Sequence, residues 1–256
     1  MSEDFITSKE NSLYKILKKI SSSKGFRSEV GQTLLDGVHL IESYQHSDQP
    51  LVLILDENTH SSEVERLVKA SNHVKCFTLS HELFVRLSDL KSTTGILALV
   101  SIPKCEYKTE PLVLLLDRIQ DPGNLGSILR TARATNVGSV ILSKGCADLW
   151  SPKTLRGSQG VQFKLNCLVD QDLAEWINHF DGEVIALTMN GNSLYQTRLK
   201  KNMAIILGNE GTGIDPLLLK KTSQILSLPM QGGVESINVS AAASVFMYEF
   251  YRQFKA

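Results

Sequence analysis

Apolar residues along this chain follow two rhythms. Unbroken runs at 51–55, 95–100, 111–116 and 203–207 have the length of strands buried on both faces. Between them apolar positions recur at helical spacing, as with Leu13, Ile16, Leu17 and Ile20 inside residues 8–22. On this pattern the first hundred residues hold strands at 51–55, 74–78 and 95–100, and helices at 61–70 and 80–87 that begin on serine N-caps. Further strands are predicted at 111–116, 139–142, 184–188, 203–207 and 224–228, with helices at 123–135, 151–157, 171–180, 214–221 and 240–254. The polar stretch 101–110, which carries a proline, reads as a linker, so the chain divides at 1–106 and 107–256. Strands alternating with helices predict an α/β fold with a mostly parallel sheet covered on both faces. In such sheets ligands bind beyond the carboxyl ends of the strands, so the loops that follow the strands come first as candidate sites.

Composition mainly excludes. A chain of 256 residues, 42% hydrophobic and 21% charged, is ordinary globular protein and is neither disordered nor collagen-like. Its apolar runs fall far below the roughly 18 residues a membrane span needs. The start, Met-Ser-Glu-Asp, is acidic where a secretory signal is basic and then apolar, so a cytoplasmic protein is expected. Cys76, Cys105, Cys146 and Cys167 are too far apart for a C-x-x-C knuckle, and neither structural zinc nor disulfides are expected. The six histidines are scattered and suit surface or capping roles, while Trp150 and Trp176 suit core packing.

Three loops carry more polar chemistry than a turn requires. In 117–133 (DRIQDPGNLGSILRTAR) Pro122 and Gly123 suit an ordinary strand–helix corner, but Asn124, Arg130 and Arg133 also project from a strand's carboxyl end. In 207–214 (LGNEGTGI) the glycines Gly208, Gly211 and Gly213 read G-x-x-G-x-G, which is not the dinucleotide fingerprint, and no G-K-[ST] follows. What remains there is a flexible loop with exposed backbone N–H groups and one carboxylate, Glu210. In 226–243 (LSLPMQGGVESINVSAAA) Ser236, Asn238 and Ser240 lie between Gly232-Gly233 and a helix of small residues. A single N-cap accounts for Ser240 but not for three alternating polar residues.

In this order and spacing the loops resemble the three motifs of the SpoU (TrmH-type) branch of the SPOUT RNA methyltransferases. Asn124, Gly126, Arg130 and Ala132 match the first; Gly208, Glu210, Gly211 and Gly213 the second; and Pro229, Ser236, Asn238, Val239 and Ser240 the third. Ser151–Phe163 is similar to the stretch this family carries between its first two motifs, and SDLKSTTGILALV to the end of its substrate-binding domain. The resemblance implies a C-terminal α/β domain threaded into a deep trefoil knot, a smaller N-terminal ribosomal-protein-like RNA-binding domain, and a homodimer. It implies transfer of a methyl group from S-adenosyl-L-methionine to a ribose 2′-hydroxyl of RNA, with no metal and no membrane.

Carried over by motif position, Thr188, Asn190, Leu207, Gly208, Leu228, Met230, Ile237, Asn238 and Gly213 would hold the cofactor, largely through backbone groups. Arg130 would act at the reacting hydroxyl, either as a base or, because a guanidinium stays protonated, as an electrostatic clamp. Asn124, Glu210, Ser236 and Asn238 would complete the pocket. Ribosomal RNA is expected ahead of tRNA because of the attached N-terminal domain; a non-catalytic RNA-binding protein and a nucleotide-cofactor oxidoreductase are the alternatives.

The charge balance, 27 basic against 27 acidic residues, by itself argues against RNA. It conceals a segregation: 11–28 holds Lys15, Lys18, Lys19, Lys24 and Arg27 with no acid, and 118–164 holds seven basic residues against two acidic. These five, with Arg133 and Arg156, are the expected RNA contacts.

Overall fold

The computed structural model describes residues 4–45, 50–90, 92–105, 111–232 and 236–255, arranged as two compact units. Part of the expected linker (106–110) and Gly233 lie outside the described residues.

The first unit comprises residues 1–104 together with Trp150–Phe163. It contains β1 (Asp4–Ile6), α1 (Ser12–Ser22), α2 (Lys24–Val30), β2 (Gln32–Asp36), α3 (Val38–Gln45), β3 (Val52–Asp56), α4 (Ser62–Ala70), β4 (Lys75–Leu79), α5 (His81–Val85) and β5 (Ile96–Ser101). The sheet order is β1-β4-β3-β5-β2, parallel between β1, β4 and β3 and antiparallel on both sides of β5. Leu17 and Ile20 of α1, buried at helical spacing, pack with Leu34, Ile54, Phe84 and Leu97 in one core. Asn11 starts α1, its Oδ1 accepting from the N–H of Leu13 at 2.9 Å. Ser61 and Ser80 stand at the predicted N-cap positions of α4 and α5, but neither side chain makes a capping hydrogen bond. Pattern reading missed β1, α2, β2 and α3.

The inserted segment Trp150–Phe163 carries α7 (Pro152–Ser158) and is built into this unit. The buried Thr33 hydroxyl donates to the Trp150 carbonyl at 2.7 Å, and Phe163 sets its ring edge-on to Tyr44 at 4.8 Å. The sequence boundary after residue 106 falls close to the break after Lys104, whereas this insertion was expected in the second domain.

The second unit holds β6 (Leu112–Leu116), α6 (Pro122–Ala134), β7 (Ser139–Ser143), β8 (Asn166–Gln171), α8 (Leu173–Asn178), β9 (Glu183–Ser193), β10 (Met203–Leu207), α9 (Pro216–Leu219), β11 (Gln224–Ser227) and α10 (Val239–Lys255). Its six-stranded sheet is parallel throughout, in the order β11-β9-β10-β6-β7-β8. The apolar runs of β6, β7 and β10 are buried along their whole length, as two-sided cover requires. From β6 the chain builds outward through β7 to β8, then returns to the other flank for β9. The direction of winding therefore reverses between the paired strands β6 and β10, where Leu116 lies opposite Leu207, and a ligand is expected beyond their carboxyl ends. On one flank α6 meets α10, with the Thr131 and Ser244 hydroxyls 3.0 Å apart.

β9 runs five residues beyond its predicted end and its pairing is interrupted. Ala186 lies opposite Ile225 but Asn192 opposite Leu226, so 187–191 bulges out of the ladder. Gly191 permits this, since a Cβ there would stand 2.7 Å from the Ile225 carbonyl oxygen. None of the four cysteines is in a disulfide, and Cys146 and Cys167 are buried. Trp150 is buried, and Trp176 stacks on Phe180 at 4.8 Å. Among the described residues no helix is long and apolar enough to cross a membrane, and no group of His, Cys, Asp or Glu is placed to hold a metal ion.

Candidate active site

The first loop begins as β6 ends. Asp117 is buried; its carboxylate accepts Nε and Nη2 of Arg118 at 3.0 Å each and the Asp215 N–H at 2.8 Å. The chain then turns into α6, where Asp121 is the N-cap, its Oδ1 accepting from the Asn124 N–H at 2.7 Å, and Pro122 begins the helix. This corner fixes Asn124 in the first helical turn.

Side chains from the three loops then join. Asn124 Nδ2 donates to Glu210 Oε1 at 3.0 Å, and Asn238 Nδ2 donates to Asn124 Oδ1 at 2.8 Å. Asn238 Oδ1 in turn accepts from the N–H and hydroxyl of Ser240, at 2.8 and 2.6 Å, and so caps α10. The cap is therefore Asn238, and Ser240 is held by it. Glu210 also faces the backbone N–H groups of Gln120 and Asp121 at 3.4 and 3.5 Å. Burial pushes its carboxyl up, but the hydrogen bonds from Asn124 and the backbone outweigh this and hold it below the usual glutamate value.

Beside this chain of side chains lies a cavity of about 350 Å³. Of the residues expected to hold cofactor, Thr188, Leu207, Gly208, Gly213, Leu228, Met230, Ile237 and Asn238 line it. Asn190 does not: its N–H and carbonyl both engage the Thr188 hydroxyl, at 3.2 and 2.6 Å, inside the β9 bulge. Glu210 and Ser236 line the cavity as well. Leu187, Asn209, Ile214 and Ala242 also line it and were not singled out by sequence reading. For Asn209 a signal existed, since an asparagine two residues before a glycine just past a strand marks an Asx turn.

Arg130 is placed differently. It is exposed on α6, does not line the cavity and makes no hydrogen bond or ion pair among the described residues. Arg133 is exposed on the same helix.

The expected RNA contacts of the first unit need correction. Arg27 is only 5% exposed and its Nη1 donates to the Ile20 carbonyl, so it ties α2 to α1 and offers nothing to RNA. Arg156 is largely covered and turned toward Asp36 and Asp89, at 3.9 and 4.0 Å. Lys15, Lys18, Lys19 and Lys24 are exposed, although Lys15 pairs with Glu10 at 2.5 Å and Lys18 donates to the Arg86 carbonyl at 2.5 Å. Partial neutralisation of this kind leaves a weaker basic face than the residue count suggests.

Taken together, the cavity supplies apolar walls, backbone exposed at glycines, an ionised carboxylate and two amides in fixed orientation. These groups can grip and align a polar ligand of nucleoside size.

Comparison with known proteins agrees with this geometry. The family described as SpoU rRNA Methylase matches residues 111–248. The 23S rRNA (guanosine(2553)-2′-O)-methyltransferase RlmP of Bacillus subtilis is 32% identical, over 95% of this chain and 97% of its own. A solved structure described as an RNA 2′-O ribose methyltransferase superposes with a TM-score of 0.82 at 29% identity, covering 98% of this chain and all of that one. A structure described by the 2-OH methylation of C/U34 on tRNA superposes at TM-score 0.52 and 28% identity, covering 99% of its own chain but 58% of this one. A match spanning all three loops and more than half of its length makes this chain a member of the SpoU rRNA methylase family.

Proposed function

We propose that the protein is an S-adenosylmethionine-dependent methyltransferase acting on a ribose 2′-hydroxyl of structured RNA, with ribosomal RNA favoured over tRNA. The observation that carries this reading is the cavity at the switch point, flanked by the linked Asn124, Glu210 and Asn238. Its lining fits the cofactor. Leu187, Leu228, Ile237 and Val239 offer apolar surface to an adenine ring, and Gly208, Gly211 and Gly213 leave backbone groups free of side chains. The ionised Glu210 suits a site that must receive a cation. When bound, S-adenosylmethionine supplies a methyl group on a positively charged sulfur, already activated for transfer.

The chain's own residues then bind and align. Asn124, fixed by Glu210 on one side and Asn238 on the other, presents an amide that cannot swing away, and such preorganisation lowers the entropic part of a transfer barrier. Arg130 supplies a guanidinium free to clamp a phosphate or a developing alkoxide. Because it stands outside the cavity lining, the reading includes a homodimer in which a second copy helps to complete each site. The trefoil knot belongs to the same reading, which is supported by the meeting of the segment before α10 with the 187–189 and 207–214 segments at one cavity.

Two findings favour ribosomal RNA. The RlmP relative aligns along nearly the whole chain, whereas the tRNA-related structure accounts for 58% of it. On this reading the first unit is the RNA-binding module, acting through Lys15, Lys18, Lys19 and Lys24, with Arg133 contributing from the second.

Calorimetry tests the class directly: S-adenosylmethionine should bind and nicotinamide cofactors should not. Arg130→Ala should keep cofactor binding and lose methyl transfer, and equal turnover would remove Arg130 from the mechanism. Mapping 2′-O-methyl sites in total RNA from cells with and without the gene identifies the substrate; an unchanged map would overturn the reading.

A further inference from the structure

Glu210 is exposed, yet it is aimed at one asparagine and two backbone N–H groups on another loop. A flexible carboxylate at the tip of a glycine-rich loop would not stay there unaided, and the residue before it organises the loop. The N–H and carbonyl of Asn209 pair with the carbonyl and N–H of Gly213, at 3.1 and 3.0 Å. Its Oδ1 accepts from the N–H groups of Gly211 and Thr212, at 2.9 Å each, and from the Thr212 hydroxyl at 3.2 Å. Its Nδ2 does something else: it crosses to the first loop and donates to the Arg118 carbonyl at 2.8 Å.

Arg118 is an unusual place to anchor. Among the described residues five other than glycine have positive φ, and Asn136, Asp170 and Asn202 are of types that tolerate it, while Gln159 ends α7. Arg118, at φ 54°, has neither reason. It is held there by the Ser143 hydroxyl, which accepts its N–H at 2.9 Å, and by the two-pronged pair with Asp117. Asp117 also takes the Asp215 N–H at 2.8 Å, so the second loop is fastened near both its ends, with Glu210 between the fastenings. An unfavourable backbone conformation held from several directions at a site points to a positioning task.

We propose that Asn209 is a positioning residue of this site, its amide tying the second loop to the Arg118 backbone and so holding the Glu210 carboxylate against Asn124. The oxygen of Asn209 shapes the turn and its nitrogen sets the turn's place; the two tasks are separable by substitution. Serine at 209 retains a hydroxyl that can cap Gly211 and Thr212 but is too short to reach Arg118, whereas alanine loses both. The effect on methyl transfer rests on the function proposed above; the placement of Glu210 does not.

The readout is the Glu210 carboxyl itself, since its titration reports the donors around it. The other charged groups of the two loops are Asp117, Arg118, Asp121, Arg130 and Arg133, with Asp215 just past the second, and none is altered by these substitutions. Protein labelled with 13C at the glutamate carboxyl carbons would be titrated by NMR in the absence of RNA, with Glu210 assigned by Glu210→Gln. In the wild type Glu210 should titrate below the usual glutamate value; in both Asn209→Ala and Asn209→Ser it should move upward. Methyl transfer to total RNA from cells lacking the gene, at saturating S-adenosylmethionine, should fall about tenfold to a hundredfold, with its acid limb displaced to higher pH. Should Asn209→Ala fail to fold, Asn209→Ser decides alone. Wild-type titration of Glu210 in Asn209→Ser would overturn the proposal. A wild-type protein that neither binds S-adenosylmethionine nor methylates RNA would defeat the proposed function and leave the titration to judge the tie.

Discussion

Three glycines in the second loop allow a graded test of how closely it is built. A Cβ on Gly208 would stand 2.4 Å from the Ile214 nitrogen and 2.5 Å from the Gly213 carbonyl carbon. Both atoms are backbone and cannot rotate aside, and an ordinary contact begins near 3.4 Å, so Gly208→Ala must open the loop by about 1 Å (3.4 − 2.4). Overpacking of this kind costs about 1–3 kcal/mol, and in a protein of this size each kcal/mol lowers the melting temperature by roughly 2–4 °C. The same movement stretches the 3.0 Å bond from Asn124 to Glu210 out of hydrogen-bond range. Misplacement by about 1 Å can cost about a hundredfold in rate. Gly211→Ala meets only Asn209 Oδ1 at 3.6 Å with an ordinary φ, and its stability should stay within about 0.5 kcal/mol of wild type or rise slightly. Gly213→Ala finds open space but φ +71°, and should lose about 1–2 kcal/mol through backbone strain alone. Scanning calorimetry ranks the three variants, and methyl transfer is measured on the same preparations. The reasoning fails if Gly208→Ala melts with wild type, or if Gly211→Ala is the most damaging.

Other outcomes follow from single side chains. Arg27→Ala should lose about 2–3 kcal/mol in urea unfolding, the value of a buried charged hydrogen bond, without altering the salt dependence of RNA binding. Arg133→Ala should do the reverse: stability within about 0.5 kcal/mol, and a log–log salt slope shallower by about 0.7–0.9 on a ribosomal RNA fragment. Burial pushes the Asp36 carboxyl up, against hydrogen bonds from Ser88 and Thr94 and the nearby Arg156. The folded chain therefore binds that proton more tightly than the unfolded chain, and stability falls as pH climbs from the ordinary aspartate value through the raised folded one. Asp36→Asn cannot titrate and should flatten that part of a stability–pH curve measured by chemical denaturation; an unchanged slope would refute the assignment.

How much of this could be read from sequence depended on where the signal lay. β6, β7 and β10 appear within a residue of their predicted positions, because strands buried on both faces must be apolar throughout. β8 was invisible for the opposite reason: as an edge strand it carries Asp170 and Gln171 and shows no continuous apolar run. The predicted end of β9 at 188 reflects Asn190-Gly191 in its bulge, a pair that reads as a turn. At the site, the motif residues Asn124, Glu210 and Asn238 were legible and do meet. Asp117 and Arg118 were not, since their task is to hold backbone, and a positive φ at an arginine leaves no trace in composition; Asn209 showed only the Asx-turn pattern, which does not reveal its reach to Arg118. Arg27 was misread because a run of basic residues on short helices does not reveal which of them points inward.

The discontinuous first unit bears on how the protein is made. When a ribosome has added residue 104, Thr33 still lacks its acceptor at Trp150, Tyr44 lacks Phe163, and the place of α7 beside β2 is empty. Another 59 residues (163 − 104) must be added first, about 3–12 s at roughly 5–20 residues per second. During that interval β6, α6 and β7 are synthesised while the amino-terminal portion is unfinished. Nascent-chain folding here is therefore interleaved rather than sequential, and a fragment ending at residue 104 is an incomplete body, not an autonomous module.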